Sequence, residues 1–188
     1  MANGNASIMK KKMLAVFICL VMVAGLIPTV AFAAENEVDV WDGTSDTSWY
    51  NETDTEFHIK TAEQLAGLAE LTNIGIDTGA STGNTFENKI IYLDCDLDLG
   101  DYPWTPITNR NVDDGYFFKG TFDGQGHTIY NLNRHGIGND SFDSLFGYVQ
   151  GGVIKNLNVV DADLSANDYS MHVGIIAALV ENGKIINC

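Results

Sequence analysis

The sequence predicts an all-β fold, a right-handed parallel β-helix (β-solenoid) with an N-terminal capping α-helix. Three observations lead there. A short motif recurs together with the glycines around it, the motif breaks strand parity internally, and past Lys60 only Thr61–Asn73 carries a helical period.

The motif is Ile129-Tyr130-Asn131-Leu132, echoed by Ile154-Lys155-Asn156-Leu157 and Ile185-Ile186-Asn187-Cys188. Its Asn residues lie 25 and then 31 positions apart, and Gly152/Gly183 and Val149/Val180 share the second offset. Recurrence at this period, with strand signals, Gly turns and no intervening helix, points to a solenoid with one coil per repeat. Ile129 and Leu132 are both apolar but three apart, so a flat strand cannot turn both inward. A bend at Asn131 resolves this, because Asn tolerates the left-handed region. The expected arrangement stacks Asn131, Asn156 and Asn187 as an amide ladder at about 4.8 Å rungs, with Ile129, Ile154 and Ile185 beside it in the core.

Residues 34–56 are rich in Asp, Thr, Ser and Asn but hold Trp41, Trp49 and Tyr50. They read as an irregular segment whose aromatics pack onto the domain. Residues 57–75 read as a strand, Phe57-His58-Ile59-Lys60, followed by the capping helix. Thr61 and Gln64 form a capping box, Ala62, Leu65, Leu68 and Ala69 share a face, and Gly75 sits just past the end. Residues 86–188 read as the coils. They open on strict alternation, with Ile91, Leu93, Cys95, Leu97 and Leu99 inward and Tyr92, Asp94, Asp96 and Asp98 outward, as one half-buried strand. Trp104, Pro106 and Ile107 then form a turn with an aromatic plug, and Phe117 to Gly126 a Gly-rich strand and turn. The pattern stops at Cys188 at the same point of the coil as Leu132 and Leu157, with no polar cap. Further coils and domains are therefore expected beyond it, and residues 34–188 alone are expected to be marginal or self-associating.

Residues 1–33 read as a signal peptide. Lys10, Lys11 and Lys12 precede an uncharged apolar run, Met13 to Ile27, and Ala31-Phe32-Ala33 supplies the small residues before a cleavage at Ala33/Ala34. The run falls short of the roughly 20 residues that span a bilayer, so no membrane span is expected after cleavage. The chain carries 10 Lys and Arg against 25 Asp and Glu, a formal charge of −15, and the leader takes three Lys with it. Nucleic acid, which is bound through cations on phosphates, is excluded as a partner on that balance. Cys95 and Cys188 form no disulfide framework and read as small buried hydrophobes.

An ordered series of motifs carries a resemblance. It runs Trp41-Asp42-Gly43, Phe57-x-Ile59-x-Thr61-Ala62-x-x-Leu65-Ala66, Leu93-Asp94-x-Asp96-Leu97-Asp98-Leu99 and Trp104-Thr105-Pro106-Ile107. Phe118-x-Gly120-Thr121-Phe122-Asp123-Gly124-x-Gly126-His127-Thr128-Ile129 and Leu145-Phe146-Gly147 continue it. This series resembles the opening of GLUG-motif bacterial surface proteins, departing from them at Gly174-Ile175-Ile176-Ala177-Ala178-Leu179, where Ala replaces the usual glycines. The resemblance implies a secreted or wall-associated, adhesin-like β-helix whose partner is an extracellular protein or a glycan. Since such repeats also accompany metalloproteases, it implies architecture rather than activity.

The chemistry-bearing residues are sparse. Asp94, Asp96 and Asp98 invite a surface calcium reading, although Leu99 and Thr105 stand where an EF-hand loop needs Gly and Glu. No other cofactor is implied. His58, His127, His135 and His172 have no zinc-protease spacing, and neither a nucleophile elbow nor a phosphate loop occurs. Two rival readings stand beside the adhesin-like one: a carbohydrate-active β-helix of polysaccharide-lyase or glycosidase type, since paired acids suit glycoside hydrolysis, and the N-terminal part of a larger surface metalloprotease. A lyase would want an arginine base, and Arg110 and Arg134 lie outside the expected repeat strands. The expectation is a non-catalytic module for adhesion, binding or scaffolding, secreted or on the cell surface, with no catalytic residue assigned.

Export is directly testable. N-terminal sequencing of the secreted protein is expected to begin at Ala34, and recovery of the intact apolar segment in washed membranes would overturn the leader reading.

Overall fold

The computed structural model describes residues 38–74, 83–109, 117–135, 142–165 and 172–188. The leader with Ala33 and Ala34, Gly75, and residues 110–116 lie outside the described residues. What is described is a parallel β-solenoid of about three turns with a single helix near its start.

The first strand, β1 (Glu56–Ile59), alternates exposed and buried residues and is followed by α1 (Ala62–Asn73). Thr61 caps the helix, accepting the Gln64 N–H at 3.3 Å, while the Gln64 side chain accepts the Lys60 N–H at 2.9 Å. Two otherwise orphaned donors are thereby satisfied, one of them a residue earlier than in the usual box. Ala62, Leu65, Leu68 and Ala69 are buried as the period requires, and Leu65 and Leu68 are wholly so. Each such leucine contributes about 1.5–3 kcal/mol by leaving water. Residues 41–50 lie directly across α1, so close that a Cβ on Gly67 would sit 2.0 Å from the Asp46 carbonyl oxygen. The Trp49 indole donates to Gln64 O, and Trp49, Tyr50, Phe57 and Phe86 form one aromatic cluster.

The coils follow. The first turn holds β2 (Ile90–Leu93) and β3 (Leu97–Asp98). The second holds β4 (Thr121–Asp123), β5 (Thr128–Tyr130), β6 (Asn133–His135), β7 (Phe142–Asp143) and β8 (Phe146–Gln150). The third repeats that order as β9 (Val153–Lys155), β10 (Asn158–Val160), β11 (Asp163–Ser165), β12 (His172–Val173) and β13 (Ala177–Glu181), and β14 (Lys184–Ile186) comes next. Every pairing is parallel, in columns β1-β2-β4-β9-β14, β3-β5-β10, β6-β11, β7-β12 and β8-β13. Successive partners lie 30 to 34 positions apart, from Thr128↔Asn158 to Glu56↔Ile90.

The register places like on like. Phe57, Ile91, Phe122, Ile154 and Ile185 form one column of the core, and Leu97, Ile129 and Val159 another. Burial is complete at Ile91, Phe122 and Ile154 and ends at Ile185, which is 44% exposed. Gly120, Gly152 and Gly183 stand one register position before β4, β9 and β14. A Cβ on any of them would meet a carbonyl oxygen of the preceding coil at 2.7–2.8 Å, so only glycine lets the coils close there.

Three expectations need correction. Residues 91–99 are two strands around a corner at Asp94–Asp96, not one strand, so Asp94 and Asp96 lie at the corner and only Asp98 lies in a strand, on the second sheet. Ile129 stacks on Leu97 and Val159, not on Ile154, whose partners are Phe122 and Ile185. Arg134 lies within a coil strand, paired with Leu164.

Arg134 is also almost fully buried. Its Nε donates to Asp143 Oδ1 at 3.0 Å and Nη1 to Trp104 O at 3.1 Å, with 3% and 1% of the two charged side chains exposed. At the same register positions the third turn carries Leu164 and Val173. Arg134→Leu alone is expected to cost about 3–5 kcal/mol, because it takes the cation away from a buried carboxylate. The double variant Arg134→Leu/Asp143→Val reproduces the pair that the next coil already uses and is expected to recover most of that loss. Urea unfolding decides the matter, and a double variant no better than the single one would refute it.

Candidate functional site

The corners between the first and second columns gather the polar side chains. Asn131, Asn156 and Asn187 all adopt left-handed backbone, at φ 57°, 53° and 55°. They do not share one corner, however. The Asn156 amide donates to Asp123 Oδ1 and the Asn187 amide to Asn156 Oδ1, each at 3.0 Å, giving a ladder Asp123–Asn156–Asn187. Asn131 closes the next corner of the coil, donates to Asp98 Oδ1 at 2.8 Å, and has Asp161, at φ 55°, as its counterpart one turn on. The bend is the same at both places, and the stacking partners differ.

The three carboxylates of the calcium reading are each engaged by protein donors. Asp94 sits 2.8 Å from His58 Nδ1 and accepts from Gln125 Nε2 at 3.1 Å, with Lys60 Nζ at 3.9 Å. Asp96 accepts the Thr128 N–H at 2.9 Å and lies 3.0 Å from His127 Nδ1. Asp98 takes the Gly100 N–H and the Asn131 amide, both at 2.8 Å. Among the described residues no group of three His, Cys, Asp or Glu could hold a metal ion. Burial works to raise the Asp94 carboxyl, but the His58 bond and charge, Gln125 and Lys60 outweigh it and hold it below its ordinary value. Cys95 donates to Lys60 O at 3.0 Å, and burial, then Asp96 and Asp94, push its thiol up, which disfavours the nucleophilic thiolate.

The sequence reading did not find the cavity. A space of about 330 Å³ opens between residues 41–45, α1 and the turn at 103–105. Trp41 and Trp104 meet edge to face in its wall, with centroids 5.6 Å apart, and Ala66 and Ala69 leave the room. Glu70 and Ser45 stand exposed at the opening, the Ser45 hydroxyl donating to the Glu70 carboxylate. Tyr102, outside the lining, is 47% exposed and packs edge-on to Trp41 at 5.8 Å. The available signal was Trp41 and Tyr102, two aromatics in polar segments far apart in the chain, which the Val40–Asp98 bridge brings together.

Asp123 provides a pH test of the corner ladder. Burial works to raise its carboxyl, and the Asn156 amide, the Gln125 N–H and Lys155 (Nζ 3.0 Å away) overcome this and lower it. A carboxyl lowered by folding stabilises the fold above the unfolded value, about 3.9, and loses that effect as pH falls through the folded value. Asp123→Asn is therefore expected to lower stability near neutral pH and to flatten the acid limb of a stability–pH curve. An acid limb as steep as in the unmodified chain would contradict this ladder.

No helix among the described residues is long and apolar enough to cross a membrane. No family model matches the chain, and no solved structure matches it. Among curated proteins the chain is similar to a halomucin of Haloquadratum walsbyi (strain DSM 16790 / HBSQ001). The two are 30% identical over 156 residues, a stretch that covers 78% of this chain and 2% of the halomucin.

Proposed function

We propose that this chain is a non-catalytic, exported or cell-surface β-solenoid module of the GLUG-repeat kind, working by adhesion, binding or scaffolding toward an extracellular protein or glycan. The observation that carries this reading is the likeness to a halomucin, a surface protein, over most of the chain. The leader pattern at residues 10–33 and the formal charge of −15 support it, since acidic surfaces keep copies apart and soluble outside the cell. The corner side chains support it too. Asp94, Asp96, Asp98 and Asp123 all hold coils together, a use of carboxylates that differs from presenting a pair across a cleft.

Protease shaving of intact source cells is expected to release peptides from residues 38–188. The purified chain, incubated with polysaccharides and casein, is expected to liberate neither reducing ends nor peptides. Recovery of the chain only in the cytosolic fraction would remove the surface reading, and turnover of either substrate would remove the non-catalytic one.

A further inference from the structure

We infer that Asn51 is an N-glycosylation acceptor, carrying a saccharide on its side-chain amide nitrogen within an exposed turn. This deepens the reading of the chain as an exported surface module and rests on it, since the reaction acts on exported chains.

The motif and its placement agree. Asn51-Glu52-Thr53 has an amide, a hydroxyl two residues on and no proline between them, the tripeptide that this transfer requires. Among the described residues no other asparagine has Ser or Thr at that position, and the corner residues Asn131 and Asn156 are followed there by Asn133 and Asn158. Two further such tripeptides begin at Asn5, in the expected leader, and at Asn139, outside the described residues. Residues 51–56 are all exposed, while Tyr50 and Phe57 on either side have ring centroids 5.4 Å apart in the aromatic cluster. The segment thus leaves the cluster and returns to it. Lys89 Nζ holds its backbone by bonds to Glu52 O and Asp54 O, at 3.0 and 2.6 Å. A transferase reaches such a turn on the folded chain without opening the core.

The local geometry brings hydroxyl and amide together. The Thr53 hydroxyl donates to Asn51 Oδ1 at 2.9 Å, and the Thr53 and Asp54 N–H groups donate to the same oxygen at 3.1 and 2.8 Å. Asn51 Nδ2 gives an N–H to Asp54 Oδ2 at 2.6 Å. These bonds stay within residues 51–54, so engaging the amide leaves the coils untouched. In the transfer, Nδ2 attacks the anomeric carbon of a saccharide carried on a lipid phosphate. The N–C bond forms, the bond from that carbon to the phosphate oxygen breaks, and its electron pair leaves with the phosphate. One Nδ2 proton passes to a base of the transferase. Glu56 opens β1, the terminal strand of the five-stranded sheet. A glycan on the turn that leads into it places polar bulk beside a sheet edge, which opposes pairing with another chain.

The test is made on the full chain recovered from the medium or surface of source cells, with the Asn51 peptide weighed by mass spectrometry. The expected result is a peptide heavier by whole sugar residues. Asn51→Gln and Thr53→Ala are each expected to abolish the addition, and Thr53→Ser, which keeps the hydroxyl, to retain it. An unmodified Asn51 in the exported chain overturns the inference and leaves the surface reading intact. An addition that survives Asn51→Gln overturns it too, by placing the sugar on a hydroxyl. So does an addition indifferent to Thr53→Ala, since the tripeptide is then not what is recognised. Recovery of the chain only from the cytosol removes the export reading and this inference with it.

Discussion

Parallel register between coils is the constraint on which the rest of this structure depends. Each turn must return in 30 to 34 residues so that Phe122 lies above Ile91 and Ile154 above Phe122. A slip of one residue would send the column outward and bring Tyr92, Asp123 and Lys155 into the core. Two devices hold the register. Glycine at 120, 152 and 183 allows backbone of one coil to touch the next, and side-chain ladders at the corners, Asp123–Asn156–Asn187 and Asp98–Asn131, tie each bend to the one before. The glycines act through space and the ladders through hydrogen bonds. A coil that lost either device would still have a hydrophobic pattern but no reason to close at the right residue.

The two sides of the stack are treated differently. Over the first coil lie α1 and residues 41–50, burying Leu65, Leu68, Phe57 and Phe86, and the C-terminal end of α1 bonds to the first turn through Asn73 and Thr72. Along the same columns in the other direction burial decreases, and Val180, Ile185 and Ile186 are 37–47% exposed. The cap does more than exclude water. Because residues 41–45 cross the helix over two alanines rather than two leucines, a cavity remains between them. The element that finishes the core thus also creates the concave site on this part of the surface.

Charge is used economically. The carboxylates of the alternating stretch are distributed over two successive corners, where each accepts from a different neighbour. The Arg134–Asp143 pair is the exception, a fully buried ion pair at positions where the following coil has Leu164 and Val173. Breaking such a pair costs more than never having made it. That asymmetry accounts for one coil keeping the pair while its neighbour does without.

Patterns local in the chain were legible from the sequence. The Thr61 cap, the buried face of α1, the inward row from Ile91 to Leu99 and the left-handed bend at each Ile-x-Asn depend on neighbours a few residues away, and the sequence carries them directly. The solenoid itself was legible because Gly152 and Gly183 recur with Ile154 and Ile185 at the spacing of a coil. Which corner stacks on which was not. The 129–132 and 154–157 motifs are chemically the same bend, made at successive corners of the path, so their likeness reports local φ and ψ and says nothing of register. The partners of Asn131, the burial of Arg134 and the meeting of Tyr102 with Trp41 were decided by tertiary structure alone. Each depends on residues about 9 to 60 positions apart arriving at one place, and that follows from how the coils close.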